Sequence, residues 1–293
     1  MRIWPQCIPC IYSARSRELL ASQLDDASKV QALARLAGIL SSSNPYSSTI
    51  RLATETFRFV KLSVRASDPY SRYKEESNKL VRERVLPLLL QRLADLRGCE
   101  LVGELLAASI AANALDPGVP GYESMGVDLS VKLGRDERER ACYLISRARR
   151  IAYILDNAGE AVVDLEVVKA LRGMDLEVYV LAKSGAYQND VTVDEAVAMG
   201  FGEYAKVVGT GSDSAAPLPG ELSGEALEAL ASADVIIAKG MANFEAFEEW
   251  APPKPVVHVL LAKCLPVASA AGVKVGEGVI AVRETLHAKA PQR

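Results

Sequence analysis

The first 115 residues alternate hydrophobic and polar positions with the period of an α-helix. Segments 17–37 and 80–96 place Leu, Ala and Val three and four residues apart, with charged residues between them. Pro87 is expected to kink or divide the second segment, because proline lacks the N–H that a helix interior needs. Segment 101–114 is small and apolar on nearly every side, which is typical of a helix packed inside a helical layer. We therefore predict a helical N-terminal domain over residues 1–125.

After residue 147 the pattern changes to short apolar runs separated by helical segments. A Pro- and Gly-rich stretch at 116–121 precedes this change and is predicted to be a loop. Strands are predicted at 151–155, 177–182, 206–208, 235–238, 255–261 and 279–282, and helices at 160–172, 191–199, 223–231 and 242–249. Alternating strands and helices imply crossover connections and a mainly parallel sheet. We therefore predict an α/β fold whose second domain, residues 126–293, is Rossmann-like.

Composition and charge argue against several classes of protein. The chain has 293 residues, 49% of them hydrophobic, and a formal net charge of −3. It contains no long basic run, which argues against a nucleic-acid partner. The N-terminus lacks the layout of a signal peptide, and no apolar run reaches the roughly 18 residues of a membrane span. We therefore expect a cytoplasmic protein with no membrane partner.

Two predicted strands are followed by acidic and amide side chains. Asp156 and Asn157 come directly after strand 151–155, and Asp190 comes in the loop after strand 177–182. Ligands of open parallel sheets bind at the carboxyl ends of the strands, and these oxygen donors suit Mg²⁺ or Mn²⁺. Such residues also cap helices with no further role, and the pattern alone leaves that reading open.

Two further strand ends carry a lysine. Lys239-Gly240 follows strand 235–238, and Lys263-Cys264 follows strand 255–261. A lysine at the ligand edge can pair with a phosphate as a point charge. The alternative is a surface lysine beside a turn, and Cys264 reads more simply as a small buried hydrophobic residue than as a nucleophile.

Taken together, these motifs resemble a known family. The matching residues are Asp156-Asn157-Ala-Gly-Glu160, Asn189-Asp190-x-Thr192, Lys239-Gly240-x-x-Asn243-x-Glu245 and Lys263-Cys264, with Cys7-x-x-Cys10, Asp68-Pro69-Tyr70, Lys74, Ser77-Asn78 and Asn113-Ala-Leu-Asp116 in the N-terminal half. The sequence is similar in this order to the damage-control phosphatases, first catalogued as domain of unknown function 89, and to their microbial Cys-x-x-Cys subgroup. It lacks the Arg-Thr-x-Lys signature of a subgroup also described as a protein-glutamate methyltransferase. It also carries Ala112 where Gly is expected before Asn113.

The resemblance implies a divalent-metal phosphatase acting on small phosphometabolites, including sugar phosphates. It implies Asp156, Asn157 and Asp190 as ligands to Mg²⁺, Mn²⁺, Co²⁺ or Ni²⁺, and these residues with Lys263 as the catalytic set. It implies Glu160, Lys239, Gly240, Met241, Ala242, Asn243 and Lys263 as substrate contacts. Water attack on the phosphoryl group is the preferred chemistry, because ligation of a metal occupies an oxygen of Asp156; an aspartyl-phosphate route stays open.

Two alternatives of a different class remain. A nucleotide- or S-adenosylmethionine-binding protein would need a Gly-x-Gly-x-x-Gly after a strand, and Gly209-Thr210-Gly211 is the nearest candidate, with Ser214 in place of the third glycine. A non-enzymatic metal-binding or redox protein would rest on Cys7 and Cys10 as a second thiol site, either alone or together with Cys264. A closed zinc site needs about four ligands, and the chain offers only His258 and His287 as imidazoles.

Overall fold

The computed structural model describes residues 1–112, 131–252 and 254–284. Its helices are α1 Cys7–Ala21, α2 Asp26–Ser41, α3 Thr49–Val64, α4 Ser71–Leu80, α5 Leu86–Arg92, α6 Gly98–Ala112, α7 Arg138–Ile145, α8 Glu160–Arg172, α9 Val193–Ala198, α10 Gly224–Ser232, α11 Gly240–Glu249 and α12 Leu265–Ala271. A π-helical turn, Val81–Val85, joins α4 to α5, and a 3₁₀ turn, Phe201–Glu203, follows α9. Among the described helices, none combines the length and the apolar composition that crossing a bilayer requires.

The strands form one seven-stranded sheet. They are β1 Leu133–Asp136, β2 Arg150–Ile154, β3 Glu177–Ala182, β4 Lys206–Gly209, β5 Val235–Lys239, β6 Val256–Leu261 and β7 Gly278–Arg283. The order across the sheet is β1-β7-β6-β5-β2-β3-β4. Neighbours from β6 to β4 are parallel, whereas β7 runs antiparallel to β6 and parallel to β1. The predicted α/β fold with a mainly parallel sheet is therefore confirmed.

Most predicted elements agree with the structure to within a few residues, and the differences have local causes. Segment 17–37 was predicted as one helix but is two, because Asp25 accepts a hydrogen bond from the Ser28 N–H at 2.8 Å and starts α2. Pro87 lies in the first turn of α5, directly after the π-helical turn, so the helix changes type where the proline was expected to kink or divide it. The loop predicted at 116–121 lies outside the described residues.

Alternate residues of β2 serve two separate cores. Ile151 and Tyr153 belong to a cluster shared with α6 and α8, while Ala152 and Ile154 belong to one shared with α10 and α11. This alternation is what a strand covered by helices on both faces requires. Because α6 contributes to the sheet's own core, the helical and sheet regions pack directly together. The division into domains at residue 125 stays a prediction, since that position lies outside the described residues.

A disulfide that the sequence pattern did not suggest joins Cys99 on α6 to Cys142 on α7 across 43 residues. Closing a loop of that length stabilises a fold by about 2–4 kcal/mol, mainly by restricting the unfolded chain.

We expect dithiothreitol to lower the free energy of unfolding of the wild type by about 2–4 kcal/mol in urea titrations, because it reduces this disulfide. Cys99→Ser/Cys142→Ser is the matched control and should show the same lower stability with no response to the reductant. A reductant effect of equal size in that variant would show that another bond is responsible.

Candidate active site

The candidate site lies where the direction of chain winding across the sheet reverses. Strands β3 and β4 extend to one side of β2, and β5 and β6 to the other. In such sheets the loops after the two central strands diverge and leave a crevice for a ligand. Asp156 follows β2, and Gly240 begins α11 directly after β5. Both therefore lie at the point where a ligand is expected.

Backbone pairing brings the loops after β2 and β3 together. The Val191 N–H donates to the Asp156 carbonyl at 2.9 Å, and the Ala158 N–H donates to the Asn189 carbonyl at 2.8 Å. Asn157 and Asp190 form an isolated antiparallel bridge. The three predicted metal ligands, Asp156, Asn157 and Asp190, are all at most 7% exposed. Sequence reasoning placed these residues at one edge of the sheet, and the structure brings them together there.

Gly240 permits the close approach of Asp156 to α11. Its φ is +75°, and a Cβ built on it would lie 1.8 Å from Asp156 Oδ2. No other residue fits without moving the carboxylate, because a side-chain carbon would occupy the same space. The glycine thus sets the position of the Asp156 carboxylate at the N-terminus of α11.

A cavity of about 160 Å³ opens beside these groups. Its lining includes the predicted site residues Asp156, Asn157, Asp190, Met241, Ala242, Cys7 and Cys10, and also Cys264. The remaining lining combines apolar residues of α1 and α3, including Ile11, Ile50 and Ala53, with polar residues such as Thr49 and Glu245. A space of this size suits a small metabolite.

Glu160 and Lys239, predicted as substrate contacts, lie outside the cavity lining. Both are fully buried, and Lys239 Nζ donates to a carboxylate oxygen of Glu160, to Asp164 Oδ1 at 2.8 Å and to Ser109 Oγ at 2.8 Å. The Tyr153 hydroxyl donates to Asp164 Oδ1 at 2.6 Å. Their contact with substrate stays a prediction; the geometry supports a different role, in which a buried ion cluster ties the end of β5 to the start of α8.

Charge balance in this cluster depends on Lys239. Burial lowers the pKa of the Lys239 ammonium, but Asp164 and Glu160 outweigh burial, and the pKa ends above its usual value. Burial raises the pKa of Asp164 against the opposing pull of Lys239. The ammonium therefore stays charged between two buried carboxyl groups, and its loss would leave them without a counter-charge.

Asn243 and Lys263 also lie outside the cavity lining. Asn243 Nδ2 donates to the Lys239 carbonyl at 2.7 Å and to the Leu155 carbonyl at 3.3 Å, which ties α11 to β2. Lys263 is 5% exposed, and its backbone N–H contacts Met241 Sδ at 3.3 Å. Their predicted roles in substrate contact and catalysis stay predictions.

The N-terminal motifs hold the strand-end loops in place. Asn78 Oδ1 accepts a hydrogen bond at 2.6 Å from the N–H of Gly159, the residue that precedes α8. Lys74 Nζ lies 2.5 Å from Asp68 Oδ2 and 2.7 Å from Glu195 Oε1. Helix α4 therefore braces both the loop after β2 and the start of α9. Asn113 and Asp116 lie outside the described residues.

Three charged residues at the site had no role assigned from the sequence, although Glu245 is part of the family motif quoted above. Arg15 and Glu245 line the cavity, and burial raises the pKa of the Glu245 carboxyl to about 7. Lys183 Nζ donates to the carbonyls of Ser214 and Ala215 at 2.9 and 2.6 Å and lies 3.3 Å from Asp190 Oδ2. Lys183 directly follows β3, so the rule that selected Lys239 would have found it too. Arg15 offered no such signal, because charged residues on a predicted helix are usually solvated.

The cavity lining includes three cysteines, Cys7, Cys10 and Cys264. Burial raises the pKa of Cys264 to about 12 and also raises that of Cys7. These two side chains are therefore protonated at neutral pH, which disfavours both nucleophilic attack and thiolate ligation. A second thiol site stays a prediction. His258 is neutral as well, because burial among Phe244 and Phe247 lowers its pKa to about 3.

The glycine pair considered for nucleotide binding follows β4 at the edge of the sheet. A Cβ on Gly211 would lie 2.4 Å from the Ser223 backbone N, so the chain itself fills the space next to this turn. Arg58 anchors the same loop through Asp213 and Glu221, each at 2.7 Å. The geometry offers no phosphate-binding turn there, since α10 does not begin until Gly224.

The donor set fits a hard divalent cation. Within the described ranges there is no group of three or more His, Cys, Asp or Glu side chains arranged to hold a metal, so a site there must also use an amide oxygen. Asp156 and Asp190 supply carboxylates, and Asn157 supplies the amide, all nearly buried. Oxygen donors of this kind suit Mg²⁺ or Mn²⁺ and also tolerate Co²⁺ and Ni²⁺.

Comparison with known proteins identifies the family to which the chain belongs. The sequence model of a protein family, the damage-control phosphatase ARMT1-like domain, matches residues 3–279 of this chain. An uncharacterised protein of Methanocaldococcus jannaschii is 31% identical over 79% of each chain, and a damage-control phosphatase of Archaeoglobus fulgidus is 28% identical over 97% of this chain and 100% of that one. A damage-control phosphatase of Pyrococcus horikoshii is 32% identical over 69% of this chain and 70% of its own.

A solved structure agrees over the whole fold. The crystal structure of a domain-of-unknown-function-89 protein from Pyrococcus horikoshii superposes with a TM-score of 0.83 at 27% identity, covering 96% of this chain and 98% of that one. The match includes both the N-terminal helices and the sheet that carries Asp156 and Asp190. By sequence and by fold, the chain belongs to the damage-control phosphatase ARMT1-like family.

Proposed function

We propose that this protein is a divalent-metal-dependent phosphatase that hydrolyses small phosphometabolites such as sugar phosphates. The observation that carries the proposal is the meeting of Asp156, Asn157 and Asp190 at one end of a cavity, at the switch point of the sheet. Family membership supports phosphatase chemistry, and the hard oxygen donors support a divalent metal.

Asp156, Asn157 and Asp190 would hold the ion, which would polarise the phosphoryl oxygens and lower the pKa of water. Backbone pairing between the loops after β2 and β3 fixes the three donors relative to one another before substrate arrives. Such preorganisation favours charge stabilisation in the transition state.

The N-terminus of α11 and the apolar walls supply the remaining features. Met241 and Ala242, in the first turn of α11, line the cavity, where a helix N-terminus favours an anionic group. Apolar side chains of α1 and α3 exclude water around the bound metabolite. Water is the proposed nucleophile, because Asp156 is assigned to the ion.

Removal of metal tests the proposal. We expect phosphate release from p-nitrophenyl phosphate and from a panel of sugar phosphates to be lost after EDTA treatment. Activity should return when Mg²⁺, Mn²⁺, Co²⁺ or Ni²⁺ is added in excess. Hydrolysis that survives complete metal removal, checked by metal analysis, would rule the proposal out, as would a lack of hydrolysis with every metal and substrate.

Gly240→Ala should reduce phosphatase activity by about 10²-fold or more, because the added Cβ displaces the Asp156 carboxylate. The matched control is Gly272→Ala, since Gly272 has a similar φ of +73° but no atom within 4 Å of the place where a Cβ would lie. Both variants carry the strain of positive φ, about 1 kcal/mol, measurable by urea unfolding. Equal activities for the two variants would show that the Asp156 position does not depend on Gly240.

A further inference from the structure

One face of α1 forms a wall of the candidate active site. Cys7, Cys10, Ile11, Ala14 and Arg15 all line the cavity, at the spacing of three and four residues that places side chains on one face of a helix. From the first to the last of them the helix rises about 12 Å. Arg15 therefore lies at the opposite end of this wall from the two cysteines.

Arg15 is the positively charged member of the lining among the described residues. The acidic members are Asp156, Asp190 and Glu245. A phosphometabolite brings negative charge into this space, and a cation in the lining offsets it. Although burial opposes the charge, Glu18 keeps the pKa of Arg15 above its usual value, so the guanidinium is permanently charged.

The guanidinium is buried and only partly satisfied. It is 2% exposed, with Nη1 donating to Glu18 Oε1 at 2.5 Å and Nη2 donating to the Tyr187 hydroxyl at 3.1 Å. Its Cζ lies 4.8 Å from the ring centroid of Phe57. Nε is buried and has no acceptor within the described part of the chain. A guanidinium carries five N–H donors in a planar fork, so donors remain for an oxyanion.

Tyr187 connects this cation to the candidate metal site. Its hydroxyl accepts from Arg15, while its backbone carbonyl accepts the Asp190 N–H at 3.0 Å. One residue therefore positions both the guanidinium and one of the metal-ligating carboxylates. Tyr187 itself lines the cavity.

We propose that Arg15 is a substrate-binding residue that receives an oxyanion of the bound metabolite, either its phosphoryl group or a second acidic group. The inference rests on the proposed function, since it concerns the same cavity. A planar fork pairs with two oxygens of a phosphate or carboxylate at once, which a lysine cannot do. Arg15 thus selects for acidic small molecules and fixes their orientation beneath α1.

Two non-hydrolysable probes separate the two sources of the oxyanion. Methylphosphonate carries one acidic group, and phosphonoacetate carries two. With Mn²⁺-loaded protein in calorimetry, we expect Arg15→Gln and Arg15→Lys to weaken phosphonoacetate binding at least about tenfold. If Arg15 receives the phosphoryl group, methylphosphonate binding weakens as much; if it receives the second group, methylphosphonate binding is unchanged.

Arg17→Gln is the control, because Arg17 lies on the same helix but outside this lining. The double variant Arg15→Gln/Glu18→Gln removes the pair as a unit, and thermal unfolding checks that each variant is folded. A purely structural role would change the unfolding midpoint of the Arg15 variants without changing their affinity for the probes.

The proposal is overturned if the wild type binds neither probe, or if every folded Arg15 variant binds both within about twofold of the wild type. Binding with no hydrolysis of any phosphate ester would instead sink the phosphatase proposal and leave Arg15 as an oxyanion site.

Discussion

Asp156→Asn should lower kcat/KM for p-nitrophenyl phosphate by at least about 10³-fold, a loss of about 4 kcal/mol of transition-state stabilisation. The amide has the shape of the carboxylate but lacks its charge, so the ligand set with Asn157 and Asp190 loses half of its carboxylates. Asp156 is 7% exposed and lies against Gly240, where the similar amide should fit and the fold should be retained. Steady-state kinetics at saturating Mn²⁺ and circular dichroism of the same sample make the comparison.

Asp194→Asn is the control for this substitution. Asp194 is an exposed acid in the first turn of α9, four positions after Asp190 and outside the cavity lining. Its neutralisation should leave kcat/KM within about twofold of the wild type. If Asp156→Asn kept more than a tenth of the wild-type activity, Asp156 would not be a required ligand.

Lys239→Met should destabilise the fold by about 3–5 kcal/mol, because it removes the counter-charge of two fully buried carboxyl groups, Glu160 and Asp164. Loss of the ammonium raises the pKa of Asp164 further above its unfolded value. A native acid with a raised pKa binds more protons than the unfolded chain, so stability falls as pH rises. The deficit should therefore be smaller at pH 5 than at pH 8 in urea titrations.

Lys206→Met is the matched control for this charge. Lys206 forms an ion pair with Glu225 at 2.9 Å, but both side chains are more than half exposed. Exposed pairs contribute little to stability, so the urea midpoint should barely change. A Lys239→Met variant of wild-type stability but with a raised KM would instead support the direct substrate contact predicted from the sequence.

The part of the site that could be predicted follows from one rule, that ligands of parallel sheets bind at the carboxyl ends of the strands. Asp156, Asn157 and Asp190 each follow a strand that the apolar runs made visible, and parallel pairing then brings strand ends together. The orientation of the Lys239 side chain could not be predicted in the same way, because a lysine after a strand can point either towards the ligand or into the layer of helices. The presence of Asp164 one helical turn after Glu160 was the available signal, since both face the same side of α8.

Features of the fold that depend on contacts between distant parts of the chain could not be predicted from the sequence pattern. Strand β1, Leu133–Asp136, has no apolar run, because it pairs only with β7 at the sheet edge. Strand β7 pairs antiparallel with β6, and the local hydrophobic pattern does not encode the direction of a strand. The disulfide of Cys99 and Cys142 depends on the packing of α6 against α7. The position of Arg15 in the cavity lining could not be predicted either, because it depends on which face of α1 covers the cavity.

Diffraction from crystals soaked in Mn²⁺, collected at a wavelength where manganese scatters anomalously, tests the metal site most directly. The expected result is one anomalous peak within bonding distance of side-chain oxygens of Asp156, Asn157 and Asp190, absent from crystals of Asp156→Asn. A peak elsewhere in the cavity, or none beside these three residues in protein that hydrolyses phosphate esters, would contradict the assignment.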